Sequence, residues 1–263
     1  MAEIKRIPTI EFEEILAKTS FNRAKLTKDY FVTILLYLVK EIEGIYFKGG
    51  TALQKIFFNH SRLSEDIDFT VTRNLPEVKK EIVKIINASG LFGKLTEDKN
   101  VEGFLRIVIG YTGFDGEKET VFIDLNQRGK LFLPSEIHKI NHFYFPFIPK
   151  FSIKTLAEKE LVAEKVAATV TRNKPRDHFD LYKIIKANMF VELELVKKKC
   201  SASGNEFSII RMFNKAQTLK NRWDRDMTSL LAEPISFQEV MQFLAKHFKL
   251  KEAKERLKKK LKS

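Results

Sequence analysis

Residues 46–71 read YFKGGTALQKIFFNHSRLSEDIDFTV. A run of strand formers ends at Gly49-Gly50, a helix-forming run follows, and Asp66 and Asp68 stand one residue apart inside a second strand-like run, DIDFTV. Side chains of a strand alternate with period two, so both carboxylates share a face. Two carboxylates side by side repel unless a cation lies between them. An all-oxygen pair of this kind suits Mg²⁺, which takes one or two carboxylates and completes its shell with phosphate oxygens and water. The glycines supply a complementary feature: without side chains, they let backbone amides approach phosphate, and the following helix presents its positive end there. Thr51 adds a hydroxyl at the helix start, and Arg62 or Ser64 could reach the same phosphates. Each part alone has a plainer reading, a tight turn or a solvated strand end. Together they describe a site for phosphate and a divalent cation.

The rest of the composition bounds the class. The chain has 263 residues, 44% hydrophobic and 31% charged, the profile of a soluble globular protein with length for one large domain or two modest ones. FVTILLYLV, residues 31–39, is the longest apolar stretch worth noting and falls short of the roughly 20 residues a membrane helix needs. No signal-peptide core is visible, and a lone cysteine, Cys200, permits neither an internal disulfide nor a cysteine zinc cluster. These features predict a cytoplasmic protein with no membrane contact. The net charge of +13 points to polyanion contact. Part of it sits in KLKEAKERLKKKLKS, residues 249–263, with eight Lys/Arg against two Glu. Leu250, Leu257 and Leu261 recur there at helical spacing, which predicts a basic amphipathic helix, either a solvated tail or a nucleic-acid contact.

Along the chain, TIEFEEILAKTS and LTKDYFVTILLYLVKEIE read as helices, the second with Thr27 as its cap. Strand IYF precedes the glycines, a helix runs on to about Phe58, and Pro76 opens a helix that stops at Gly90. GFLRIVIGYT and TVFIDLN read as two strands joined through the loop GFDGEKE. Beyond residue 150 the pattern becomes helical, beginning with SIKTLAEKELVAEKVAATVTR and RDHFDLYKIIKANM. The proline-broken PSEIHKINHFYFPFIPK between these halves predicts a boundary, giving residues 1–150 and 151–263. The aromatic part of that segment either lines a cleft or packs the halves, and packing is the simpler reading. An α/β (α+β) domain with a mixed sheet and a helical C-terminal domain is the architecture expected.

KGGTALQKIF followed by RLSEDIDF resembles the signature of the AbiEii-type nucleotidyltransferases, toxins of abortive-infection and type IV toxin–antitoxin pairs. The resemblance spans roughly residues 25 to 245. It implies a polymerase-beta-like nucleotidyltransferase domain followed by helices, a nucleoside triphosphate as donor, Mg²⁺ (or Mn²⁺) dependence, an RNA acceptor such as a tRNA 3′ end, and a cognate antitoxin. Gly49, Gly50 and Thr51 would hold the triphosphate, and Asp66 and Asp68 the metal. LVAEKVAATVTRNKPRDHFDLY resembles the later family motif: Lys165 would meet the triphosphate with Arg172 or Arg176, and Asp177 and Asp180 would lie near the site. An Arg176–Asp180 pair at i,i+4 is equally readable as a helix ion pair. A third carboxylate is expected in polymerase-beta-like sites. Asp124, which interrupts an apolar strand and there requires a metal or hydrogen-bond partner, is the natural candidate for shared metal ligand or general base; Asp180 inherits the role otherwise. Two rivals remain open: a protein acceptor in place of RNA, and a catalytically silent RNA- or antitoxin-binding module. The five histidines have no zinc spacing and read as neutral surface or boundary residues, and Trp223 reads as core.

Overall fold

Alternation along DIDFTV sets the architecture. In the computed structural model, which describes residues 4–172 and 174–260, this run is a strand with Ile67, Phe69 and Val71 buried on one face and Asp66, Asp68 and Thr70 on the other. Two compact units are formed: one runs to Ala157 and takes in Leu230–Ala232, and the other comprises Glu158–Ser229 and resumes at Glu233.

The first unit holds helices α1 (Thr9–Thr19), α2 (Arg23–Val39), α3 (Gly49–Ile56) and α4 (Leu75–Ser89). Its strands are β1 (Ile45–Lys48), β2 (Asp66–Val71), β3 (Leu95–Val101), β4 (Phe104–Thr112), β5 (Lys118–Asn126), β6 (Glu136–Lys139) and β7 (Ser152–Thr155). They form one mixed sheet in the order β3-β4-β5-β2-β1-β7-β6. The central pair, β2 and β5, runs parallel in the register Ile67–Ile123, Asp68–Asp124, Phe69–Leu125. One sheet face is therefore apolar, with Phe47, Phe69, Leu125 and Leu105 in one cross-strand row and Ile67, Ile123 and Ile107 in the next. All are buried, and α2 packs against β2, β5 and α4.

Several boundaries differ from the sequence reading. Helix α2 begins at Arg23, with Asn22 Oδ1 accepting from the Lys25 amide. Thr27, the expected cap, is buried a turn inside, because Asn22 already satisfies the helix start. The long helix expected from residue 152 begins only at Glu158: Ile153 and Thr155 bury on alternate positions while β7 pairs with β6 and β1. Strand β3 is an edge strand, LTEDKNV, too charged and exposed to show a period-two pattern. Within PSEIHKINHFYFPFIPK lies β6, and Tyr144 of the same segment is buried against α2, donating to Leu26 O at 3.2 Å and Asp29 Oδ2 at 3.0 Å.

The second unit consists of α5 (Glu158–Thr171), α6 (Pro175–Lys186), α7 (Leu193–Ala202), α8 (Ile209–Phe213), α9 (Ala216–Met227), α10 (Phe237–His247) and α11 (Leu250–Lys260). Trp223 is buried in α9, its indole donating to the Ile235 carbonyl at 2.9 Å. Helix α11 forms as expected from its leucine spacing, although Leu261 lies outside the described residues. No described helix is long and apolar enough to cross a membrane.

A buried ion pair fastens α3 to α2. Lys55 Nζ lies 2.7 Å from Asp29 Oδ1, each side chain 1% exposed, and also donates to Thr33 Oγ1 at 2.9 Å. Burial pushes the Asp29 carboxyl upward, but the Lys55 charge and hydrogen bond hold it below its usual range. Two histidines read from sequence as neutral surface or boundary groups sit beside this pair, neutral but buried. Burial, reinforced by the Lys55 ammonium, pushes His60 down to about 3 and His142 down to about 4. His178 is also buried, 2.8 Å from the Met212 carbonyl. Because His60 and His142 titrate lower when folded, the unfolded chain binds more protons between pH 6.5 and about 4, and stability falls as pH drops through that window. At pH 5.5 the effect of His60 alone is about 1.4 kcal/mol. With an equal contribution from His142, urea unfolding at pH 7.5 and 5.5 should show a loss of about 3 kcal/mol, and His60→Gln should halve it; equal stability at the two pH values would contradict the neutral buried pair.

Candidate active site

Gly49 is the first residue of α3 and adopts φ 82°, a conformation other residues rarely take. A Cβ there would lie 2.4 Å from Asp68 Oδ2. The glycine is thus required twice, by its backbone and by the carboxylate of β2 packed against it. Gly50 follows in the first turn. The residue preceding α3, Lys48, makes no side-chain cap bond to the helix start, and Gly49 brings that positive end of α3 against Asp68.

Strand register assembles a charged row across the polar sheet face. Lys48 of β1 lies opposite Asp68 of β2, Asp68 beside Asp124 of β5, Asp124 opposite Arg106 of β4, and Arg106 opposite Lys99 of β3. Asp66 sits one pleat away on the same face, and Asp66 and Asp68 are half-buried. Asp124 is where the sequence reading put it, but both its oxygens are engaged. Arg106 Nε donates to Oδ1 and Nη2 to Oδ2, each at 2.7 Å. The guanidinium also lies 5.0 Å from the Phe122 ring centre. Thr70, next along the acid face, is buried with a hydroxyl that has no partner among the described residues. A Cβ on Gly129 would come 3.1 Å from that hydroxyl and 3.5 Å from Lys48 Nζ.

Three expected phosphate donors are instead committed inside the unit. Thr51 Oγ1 bonds Ser64 Oγ at 2.8 Å and donates to the Asp66 carbonyl, tying α3 to the start of β2. Arg62 is buried, with Nη1 donating to the Leu63 carbonyl at 2.9 Å and its amide to Gln54 Oε1 at 3.1 Å. These residues shape the connection between the glycines and the acids. Arg106 and Lys48 escaped the sequence reading because only the strand register places them beside Asp68 and Asp124; Thr70 shares the acid face by alternation alone and went unread because threonine is an ordinary strand residue.

In the second unit, Lys165 of α5 reaches Asp177 Oδ1 at 3.0 Å and Asp180 Oδ2 at 2.9 Å, both on α6. Its side chain is 5% exposed and that of Asp180 0%. Arg172 Nη2 adds a contact to Asp177 Oδ1 at 2.7 Å. Burial raises the Asp177 carboxyl, but Lys165 and then Arg172 overcome it and hold it far below the usual range. Asp180 therefore has Lys165 as a partner, and the cluster braces α5 against α6.

Asp66 and Asp68 fit a divalent cation in donor chemistry, half-buried placement and shared face. Asp124 does not join them as an open ligand, and among the described residues no group of three or more His, Cys, Asp or Glu is arranged to hold a metal. A mixed sheet with a glycine-led helix start packed against a two-acid central strand defines a nucleotidyltransferase fold. The sequence model described as nucleotidyl transferase AbiEii toxin, type IV TA system, matches residues 34–251, and the chain belongs to this family of nucleotidyltransferase toxins. Among solved structures it is similar to MenT4, a nucleotidyltransferase toxin from Mycobacterium tuberculosis, at 21% identity and TM-score 0.68, covering 91% of this chain and 87% of that one. It is similar as well to JHP933 from Helicobacter pylori, at 16% identity and TM-score 0.58, covering 92% of this chain and 100% of that one. A search of curated proteins gives no match.

Two substitutions test these contacts. Gly49→Ala should remain folded, with a stability loss of about 1–3 kcal/mol, yet lose transferase activity because the new methyl displaces Asp68; full activity would show that the contact is immaterial. Lys165→Met leaves Asp177 and Asp180 buried without their shared cation, and urea unfolding should show a loss of about 3–5 kcal/mol.

Proposed function

We propose that the protein transfers a nucleoside monophosphate from a nucleoside triphosphate to a hydroxyl of RNA, with a tRNA 3′ end as the leading acceptor. The observation that carries the donor half is the packing of Gly49 against Asp68, which joins an anion-accepting helix start to a cation-binding pair. Amides of Gly49 and Gly50 receive phosphate oxygens, and Asp66 and Asp68 hold Mg²⁺, or Mn²⁺ in its place. When bound, the cation neutralises charge developing on the phosphates. The family's later motif gives Lys165, Arg172 and Arg176 a part in phosphate neutralisation.

The acceptor hydroxyl attacks the α-phosphorus in line and gives up its proton to water, the bond from Pα to the bridging oxygen breaks, and pyrophosphate leaves with the electron pair. Positioning and electrostatics supply the acceleration. Charge distribution favours an RNA acceptor. Of the net +13, the second unit carries +10, from 24 Lys/Arg against 14 Asp/Glu. Lys251, Lys254, Arg256, Lys258 and Lys259 on α11 are all exposed, as phosphate contacts require. The family also implies an antitoxin that binds this chain.

Total RNA incubated with each α-labelled nucleoside triphosphate and Mg²⁺ should give one discrete labelled RNA band with one preferred nucleotide. Asp66→Asn and Asp68→Asn should each lower the label by at least 100-fold. Label on protein in place of RNA would move the acceptor to a side-chain hydroxyl, and undiminished label in both variants would overturn the site.

A further inference from the structure

The third carboxylate of the acid face is the feature that the donor site leaves unexplained. Asp124 is adjacent to Asp68 in register, where a second cation would take it as a ligand. Its two oxygens are instead spanned by Arg106 in a two-point pair at 2.7 Å each, the strongest geometry available between these side chains. Arg106 is fixed from other sides too: its guanidinium lies over Phe122 at 5.0 Å, and Nη1 is 3.8 Å from Asp98 Oδ2. A divalent ion entering at Asp124 would have to break both hydrogen bonds and then sit beside a guanidinium.

Charge counting agrees with the geometry. Asp66, Asp68 and Asp124 contribute three negative charges. One divalent ion and Arg106 cancel them. Cross-strand placement fixes the Arg106–Asp124 part of this balance, because the two residues face each other directly on β4 and β5.

We infer that this chain works with one divalent cation, held by Asp66 and Asp68, and that Arg106, locked by Asp124, is the resident cation at the position of a second metal. Asp124 is then a positioning residue acting through Arg106 and is neither a metal ligand nor a general base. This assignment rests on the donor-site reading above.

Counting Mn²⁺ tests it without reference to activity. The full chain is saturated with an α,β-methylene nucleoside triphosphate, bound Mn²⁺ per chain is measured, and its electron paramagnetic resonance spectrum is recorded. The wild type should bind one Mn²⁺ with the six-line spectrum of an isolated ion. The charge-neutral double variant Arg106→Met/Asp124→Asn should bind the same single ion with its affinity changed by less than threefold. Arg106→Met alone, which frees Asp124, should bind two, with the broadening expected of ions about 4 Å apart. Two Mn²⁺ in the wild type, or a tenfold or greater loss of Mn²⁺ affinity in the double variant, would overturn the assignment while leaving the donor site standing. No Mn²⁺ bound by the wild type would overturn the donor-site reading and this assignment with it. Should Arg106→Met fail to fold by its circular dichroism, the wild type and the double variant decide the question alone.

Discussion

Three carboxylates held side by side on two parallel strands are the constraint around which the first unit is arranged. Asp66, Asp68 and Asp124 cannot move apart, because Ile67, Phe69, Ile123 and Leu125 between them are buried in the opposite face of the sheet. Slipping either strand by one residue would turn those apolar side chains outward and the acids into the core. The repulsion must therefore be answered in place. Arg106 answers it at Asp124, the glycine-led start of α3 lies against Asp68, and the proposed divalent cation would answer the remainder.

Precision at this edge depends on how α3 is held. The Lys55–Asp29 pair, with Thr33 and Tyr144 completing its hydrogen bonds, pins the helix from within the core. Thr51 pins it to β2 from the other end. A buried pair of this sort adds little net stability over an apolar replacement, yet removing one member strands the other charge. Its value here is directional: it fixes the rotation of α3, and with it the glycine that contacts Asp68.

Much of this was legible in the sequence, for identifiable reasons. Strong apolar alternation revealed β2, β4 and β5, and glycine and proline punctuation revealed the ends of α3 and α4. The acid pair announced itself because carboxylates in an apolar strand are hard to explain otherwise. What stayed hidden is what depends on register between distant segments. Nothing near Arg106 in the chain tells that it faces Asp124, and nothing around Thr51 tells that its hydroxyl closes on the Asp66 carbonyl. Strand β3 is charged along almost its whole length and β7 merges into a helical pattern, so neither shows its own period. His60 and His142 read as neutral surface or boundary groups because the sequence does not show the Lys55–Asp29 pair beside them.

The central claim is that the α3 start and the Asp66–Asp68 pair form a single site for a metal–triphosphate complex. The most direct measurement is the thermal midpoint of the wild type and Asp68→Asn with each nucleoside triphosphate, with and without Mg²⁺. A bound ligand at 100 times its dissociation constant stabilises the fold by about 2.7 kcal/mol. The account predicts a rise for the wild type that needs both nucleotide and Mg²⁺ and is absent in Asp68→Asn. An equal rise in the variant, or one independent of Mg²⁺, would contradict it.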